Sequence, residues 1–254
     1  LTAHFKKNSP AFGNRETRTL ATEEAAPSLA RALELLRIRD DKQALSGFEA
    51  ILLKDPDNLS AMWGKAEIKR RRRDYIEAED ILKKVISRDP GHAASLISLA
   101  YIRCNSGKLN EALELSNRAL SSDEATQQDK AMAYMMLGTI NNRLSSQGWL
   151  LSKIRYGTQI KRYFLRAREL SPELPEVHLG LGSFYLLAPG IAGGNLDKAI
   201  EELEYAVRIA PGFATANARL AQAYRKKGDM DKYRFYKDRA SGLDPQNEVL
   251  VELK

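Results

Sequence analysis

Residues 59–92 read LSAMWGKAEIKRRRRDYIEAEDILKKVISRDPGH, and the fold is predicted from the pattern in these residues. Its apolar residues recur at helical spacing and are interrupted once near the middle, where a turn is expected. Ala66 and Ala78 are small residues that let two helices approach closely, and Pro90 ends the second helix. The stretch is therefore predicted to form two antiparallel helices.

The same spacing recurs along the chain. Pro56 and Pro90 lie 34 residues apart, and Pro211 and Pro245 are separated by the same interval. The longer interval between Pro90 and Pro172 accommodates one unit without its proline and one lengthened unit. A period of this length is typical of repeat architectures, in which each unit buries its apolar face against the next.

This pattern resembles the tetratricopeptide repeat, which has a small residue at position 8, alanine at 20 and 27, and proline at 32. Six consecutive partial matches cover residues 25–245. The resemblance implies an all-α fold, a right-handed α-solenoid of about six helix pairs. The predicted units are residues 25–58, 59–92, 93–126, 127–174, 175–213 and 214–245.

The two ends of the chain do not follow the repeat pattern. Residues 1–24 have no sustained periodicity and carry four basic residues, so we expect a mobile basic arm. Residues 246–254 place three apolar residues on one helical face, which predicts a short C-terminal capping helix.

Two units are longer than the others. About ten extra residues, roughly 145–158, are expected to separate the helices of the fourth unit, and 188–195 contains a shorter insertion in the fifth. Gly138 occupies a close-approach position, where a larger residue is expected to overpack. Gly194 lies in the inserted turn, where alanine is expected to be tolerated unless φ is positive. The turn at 188–194 is similar to turns in bacterial tetratricopeptide proteins, including partners of tripartite ATP-independent periplasmic transporters.

Composition excludes several classes of protein. The 254 residues are 43% apolar and 29% charged, which argues against wholesale disorder. The single cysteine, Cys104, excludes an intramolecular disulfide or multi-cysteine metal site. The net charge of +7 favours acidic partners without requiring nucleic acid.

The longest uncharged run, 177–196, contains Pro189 and five glycines, so no transmembrane segment is predicted. Leu1 is not an initiator methionine, which leaves cytoplasmic and periplasmic locations both open.

No catalytic constellation is found in the sequence. His4, His92 and His178 lack partners at metal-ligand spacing, and Cys104 has no nearby histidine in sequence. The glycines at 190–194 do not precede a Gly-Lys-Ser/Thr motif and do not form a phosphate-binding loop. We therefore expect no enzyme activity, cofactor or metal, and a structural role for His178 and Cys104.

The resemblance places the functional surface in the concave groove, which is lined by the first helix of each unit. The groove predicted from the family positions is aromatic and methionine-rich in its middle, as suits adaptable partner binding. The predicted groove residues are Trp63, Glu67, Arg70, Ile97, Tyr101, Asn105, Met132, Met135, Met136, Thr139 and Asn142. Core packing is an equal alternative for the three methionines.

A basic run is the most unusual local feature, and it admits two interpretations. It comprises Lys69, Arg70, Arg71, Arg72 and Arg73. One interpretation is a solvated turn whose cations complement the helix dipole. The other is a docking patch for an acidic protein, lipid headgroups or nucleic acid.

The predicted function is a non-enzymatic adaptor or scaffold that holds an extended or helical protein segment, acidic or apolar, in its groove. One subclass of the family grips chaperone tails with lysines and asparagines, and this carboxylate clamp is absent. The corresponding positions hold Leu29, Leu33, Gly64, Ala94 and Ser98. Two alternatives remain: a lipid or small-ligand binder of the bacterial envelope, and a nucleic-acid binder acting through the arginine run. Homo-oligomerisation is left open.

Overall fold

A computed structural model describes the backbone of residues 28–147 and 150–253, and the side chains of 28–146 and 159–253. The predicted arm at residues 1–24 lies outside the described residues. The described part is helical throughout, apart from its turns. The helices are α1 (Leu29–Arg37), α2 (Asp41–Lys54), α3 (Leu59–Arg71), α4 (Tyr75–Arg88), α5 (Ala93–Asn105), α6 (Leu109–Ser121), α7 (Gln127–Gln147), α8 (Leu150–Leu170), α9 (Pro175–Leu187), α10 (Leu196–Ile209), α11 (Ala214–Lys227), α12 (Met230–Leu243) and α13 (Glu248–Val251).

Polar residues in the turns define where several helices begin. Asn58 accepts a hydrogen bond from the backbone N–H of Ala61 through Oδ1 at 3.0 Å, and Asn195 bonds Lys198 in the same way. Such caps satisfy backbone donors that have no partner within the first turn of a helix. These caps fix the first residue of the helices that have them.

The helices pack as consecutive pairs, and each pair packs on the next along the chain. Ala66 and Ala78 are fully buried where α3 meets α4, as their spacing predicts. Gly64 lets α3 approach Phe48 of α2, because a Cβ on Gly64 would lie 2.2 Å from the phenyl ring. Four apolar clusters follow one another in chain order from the first unit to the last. The predicted all-α solenoid is confirmed.

The insertion in the fourth unit differs from the prediction. Helix α7 runs to Gln147 and α8 begins at Leu150, so the extra residues lengthen both helices instead of forming a long connection between them. The inserted stretch, 145–158, lacks proline, the residue that most strongly interrupts a helix. The two helices, of 21 residues each, pack against one another over an extended contact.

The prediction that Gly194 tolerates alanine is wrong. A Cβ on Gly194 would lie 1.9 Å from the carbonyl oxygen of Ala188 and 2.8 Å from its carbonyl carbon. The φ angle of Gly194 is not in the left-handed region, so the restriction comes from the close approach of two backbone segments. The turn can fold back on itself because Gly194 has no side chain where the two backbone segments meet.

We expect Gly194→Ala to destabilise the protein by about 1–3 kcal/mol, because the new methyl group must push the Ala188 carbonyl aside. Gly190→Ala in the same turn is the matched control, since nothing lies within 4 Å of the Cβ position there. Urea denaturation followed by circular dichroism measures both variants. If the two have the same midpoint, the close approach at Gly194 does not exist in solution.

Candidate functional site

The first helices of the second to sixth units surround a cavity of about 1340 Å³ on the concave side of the solenoid. This volume exceeds the roughly 300–1,000 Å³ typical of small-molecule sites. Its walls are partly apolar and partly charged. The lining residues used below are Arg39, Asp41, Arg70, Arg71, Arg72, Arg73, Tyr101, Met132, Met135, Met136, Thr139, Asn142, Leu179, Phe184, Gly212, Phe213 and Asp244.

Seven of the eleven predicted groove residues line this cavity, namely Arg70, Tyr101, Met132, Met135, Met136, Thr139 and Asn142. The other four, Trp63, Glu67, Ile97 and Asn105, do not line it. The Trp63 indole N–H donates to Ser98 Oγ at 3.0 Å, and Trp63 packs against two apolar clusters. Glu67 and Ile97 are buried, and the Asn105 side chain bonds the hydroxyl of Tyr75 at 3.2 Å.

The apolar wall of the cavity comes from α7 and α9. Met132, Leu179 and Phe184 are partly buried and present exposed apolar surface to the cavity. Met135 and Met136 are buried and belong to two different core clusters. Of the three methionines, Met132 thus has the most surface available to a ligand.

A buried carboxylate organises the opposite, charged wall. Glu67 is only 8% exposed and accepts hydrogen bonds from Arg70, from Arg71 Nε at 3.1 Å and from Ser98 Oγ at 3.0 Å. Burial by itself raises the pKa of Glu67, but Arg70 and Arg71 outweigh it and hold the pKa well below its usual range. The Arg70 guanidinium in turn stacks over the Tyr101 ring at 3.9 Å. Tyr101 is therefore held in place at the cavity surface.

Four of the five residues of the basic run are engaged within the chain. Lys69 pairs with Glu77 at 2.6 Å, Arg71 with Asp41 at 2.6 Å, Arg73 with Asp244 at 3.0 Å, and Arg70 with Glu67. Arg72 is exposed, and no carboxylate of the described residues lies within 4.0 Å of its guanidinium. Arg72 therefore fits the interpretation of the basic run as a solvated turn. The other four cations form ion pairs within the protein.

Arg39 joins the first unit directly to the fifth. It pairs with Glu176 at the start of α9, and its guanidinium lies 3.9 Å from the centre of the Phe213 ring. Burial, together with the charge of Arg71, lowers the pKa of Arg39 to about 10. Gly212 permits this contact, because a Cβ there would lie 2.9 Å from the Arg39 carbonyl oxygen.

Arg73 makes the corresponding contact from the second unit. Its guanidinium donates to Asp244 Oδ2 at 3.0 Å and to the backbone carbonyl of Gln246 at 2.9 Å, both between α12 and α13. Together with Arg39, it closes the two ends of the solenoid upon each other beside the cavity. Sequence reasoning missed this closure. The sequence did contain one signal of it. Arg39, Arg73 and Gly107 follow one another at intervals of 34 residues, so the two arginines stand at the turn position that glycine occupies in the third unit.

His178 and Cys104 lie away from the cavity, within the core. His178 contacts Glu202 through Nδ1 and the carbonyl of Pro172 through Nε2, each at 2.6 Å, and packs on the Tyr205 ring. Cys104 is buried, and burial raises the pKa of its thiol. Both residues thus contact structural elements of the core.

Two sequence models of one repeat family match the chain. One tetratricopeptide repeat model matches residues 29–93 and 191–247, and a second matches residues 69–135, so together they account for most of the chain. The chain belongs to the tetratricopeptide repeat family. The comparison with curated proteins gave no match.

Solved structures of tetratricopeptide repeat proteins have the same fold. A thermophilic tetratricopeptide protein of Thermus thermophilus is 19% identical with a TM-score of 0.61, covering 76% of this chain and 96% of its own. PilW, a type IV pilus biogenesis factor, is 18% identical with a TM-score of 0.51, covering 89% and 96%. The Cut9–Hcn1 complex of the APC/C is 15% identical with a TM-score of 0.59, covering 89% and 41%. Within the described residues, no helix combines the length and hydropathy needed to cross a membrane.

Proposed function

We propose that this tetratricopeptide repeat protein is a non-enzymatic scaffold that binds a segment of a partner protein in its concave cavity. The tetratricopeptide fold supports a protein–protein interaction scaffold in general. The observation that carries the specific proposal is the cavity of about 1340 Å³ lined by the first helix of successive units. A short peptide segment makes better use of this volume than a small molecule does.

The side chains of the cavity indicate the chemistry of that segment. Met132, Leu179 and Phe184 offer apolar surface, and methionine adapts to partners of irregular shape. Arg72 offers a cation that no described carboxylate neutralises. We therefore propose a partner segment that combines apolar side chains with at least one carboxylate. Tyr101, oriented by Arg70, is the proposed aromatic anchor.

Selection from a phage-displayed library of random dodecapeptides tests this proposal. We expect the selected peptides to be enriched in apolar residues together with aspartate or glutamate. Arg72→Glu should weaken the affinity of a selected peptide roughly tenfold, as the loss of about 1.4 kcal/mol predicts. Met132→Ala and Tyr101→Ala should each weaken it as well, because they remove apolar contact surface. Fluorescence anisotropy with the labelled peptide measures all four proteins.

Lys84→Glu is the matched control, since Lys84 is also exposed, has no carboxylate partner among the described residues and does not line the cavity. It makes the same change in net charge as Arg72→Glu and should leave peptide affinity unchanged. Equal weakening by the two reversals would show that net charge alone drives binding. Peptides that bind all the cavity variants as tightly as the wild type would place the binding surface elsewhere.

A further inference from the structure

The turns within the units share one left-handed residue, and its identity changes along the chain. Gly107 and Gly228 have φ angles of 78° and 87° in the third and sixth units, and nothing lies within 4 Å of a Cβ at either position. The first and second units instead have Arg39 and Arg73, with φ angles of 69° and 65°. Glycine adopts this backbone conformation without the steric cost that a side chain brings. Because glycine fits the left-handed turn better than arginine does, we explain the arginines by the contacts that their side chains make.

Both side chains reach the far end of the solenoid. Arg39 contacts Glu176 and Phe213, and Arg73 contacts Asp244 and the carbonyl of Gln246. Arg39 and Arg73 occupy equivalent positions in neighbouring units. We call their contacts with Glu176, Phe213, Asp244 and Gln246 the seam. Gly212 provides the close approach that the first of them needs.

Among the described residues, the seam differs from the contacts between neighbouring units because no apolar cluster spans it. Neighbouring units are joined by apolar clusters, and no cluster among the described residues contains members of both the first and the last unit. The seam depends on two ion pairs and on the contact of Arg39 with the Phe213 ring. The side chains of Arg73 and Asp244 are 35% and 29% exposed, whereas those of Arg39 and Glu176 are 12% and 21% exposed. Arg39 Nε is buried there without a hydrogen-bond partner among the described residues. Salt screens ion pairs more strongly the more exposed they are, so we expect it to weaken the Arg73–Asp244 pair more than the Arg39–Glu176 pair.

We propose that Arg39 and Arg73 form a latch that closes the solenoid beside its cavity, and that releasing this latch opens the cavity. The latch separates two states of one scaffold. In the closed state the seam holds the two ends together, and in the open state the apolar clusters keep the units stacked while the ends move apart. This inference concerns the shape of the protein and does not rest on the proposed peptide binding.

Spin labels on either side of the seam test the latch directly. Ile76 is 82% exposed at the start of α4, and Ser241 is exposed near the end of α12. Both are replaced by cysteine in a Cys104→Ser background, and double electron–electron resonance measures the distance between the labels. At low salt we expect a single narrow distribution. Arg39→Gly combined with Arg73→Gly should shift the mean to a longer distance and broaden the distribution, because glycine keeps the left-handed turns and removes only the side chains.

Three further samples separate the latch from general loss of structure. Glu176→Gln combined with Asp244→Asn removes the carboxylates and should produce the same shift. In the unmodified background, 1 M sodium chloride should produce a smaller shift in the same direction, because it screens the Arg73–Asp244 pair more than the more buried Arg39–Glu176 pair. Arg72→Gln combined with Lys84→Gln removes two cations that have no carboxylate partner among the described residues and should leave the distribution narrow. Circular dichroism should show unchanged helical content in every sample. A distribution that stays narrow and short after both arginines are removed overturns the latch, as does one that is already broad at low salt.

Discussion

Replacing Glu67 with alanine is expected to destabilise the protein by roughly 3–5 kcal/mol, the cost of removing one partner from a buried ion-pair network. The substitution leaves the guanidinium groups of Arg70 and Arg71 without the carboxylate that now binds both of them. It also removes the acceptor of the Ser98 hydroxyl, which itself accepts the hydrogen bond of Trp63. Urea denaturation followed by circular dichroism measures the loss.

Glu114→Ala is the matched control for this prediction. Glu114 is exposed on α6 and has no cation within 4.0 Å among the described residues, so its replacement should change stability by no more than about 0.5 kcal/mol. A Glu67→Ala protein as stable as Glu114→Ala would show that the network contributes nothing to folding. A loss of peptide binding without any loss of stability would instead show that Glu67 acts on binding through Arg70, which orients Tyr101, and contributes nothing to folding.

The pH dependence of the Glu67 contribution follows from the direction of its pKa shift. Folding lowers the pKa of this carboxyl group, so its contribution is fully present above the unfolded pKa of about 4.3 and is lost as the pH falls through the folded value. The difference in unfolding free energy between the wild type and Glu67→Gln should thus be constant above about pH 6 and shrink towards about pH 2. A difference that grows on acidification would contradict the assignment of Glu67 as an ionised group.

The second large effect is expected at the crossing of α7 and α8. Gly138→Leu should destabilise the protein by about 1–3 kcal/mol or more, because even the Cβ would lie 2.3 Å from the ring of Phe164. Phe164 is itself buried, which limits its freedom to move aside. Thermal unfolding followed by circular dichroism measures the change.

Gly242→Leu makes the same chemical change where it should be harmless. Gly242 is exposed in α12, and nothing lies within 4 Å of its Cβ position. Leucine has the higher helix propensity, so this variant should gain up to about 1 kcal/mol. If both leucine variants unfold at the same temperature, Gly138 does not lie at a close crossing of two helices.

The spacing of small residues and prolines was sufficient to predict the helix pairs. Alanines such as Ala66 and Ala78 are informative because a helix crossing depends on side-chain volume, which is a property of the residue itself. The groove residues were predicted from the family resemblance, and seven of the eleven line the cavity, since the first helices of successive units face the same side of a solenoid. Trp63 is not among the seven, because its hydrogen bond to Ser98 joins residues of two different units.

The local sequence pattern was therefore enough to predict a stack of helix pairs with a concave face, because the interactions that form each pair lie within one repeat unit. Only the tertiary structure decided that Arg39 meets Glu176 and that Arg73 meets Asp244, at separations of 137 and 171 residues. Those contacts depend on the accumulated rotation of every intervening unit, including the lengthened α7 and α8. A small change in the angle between neighbouring units would move the two ends apart. No single stretch of sequence encodes the total rotation from the first unit to the last.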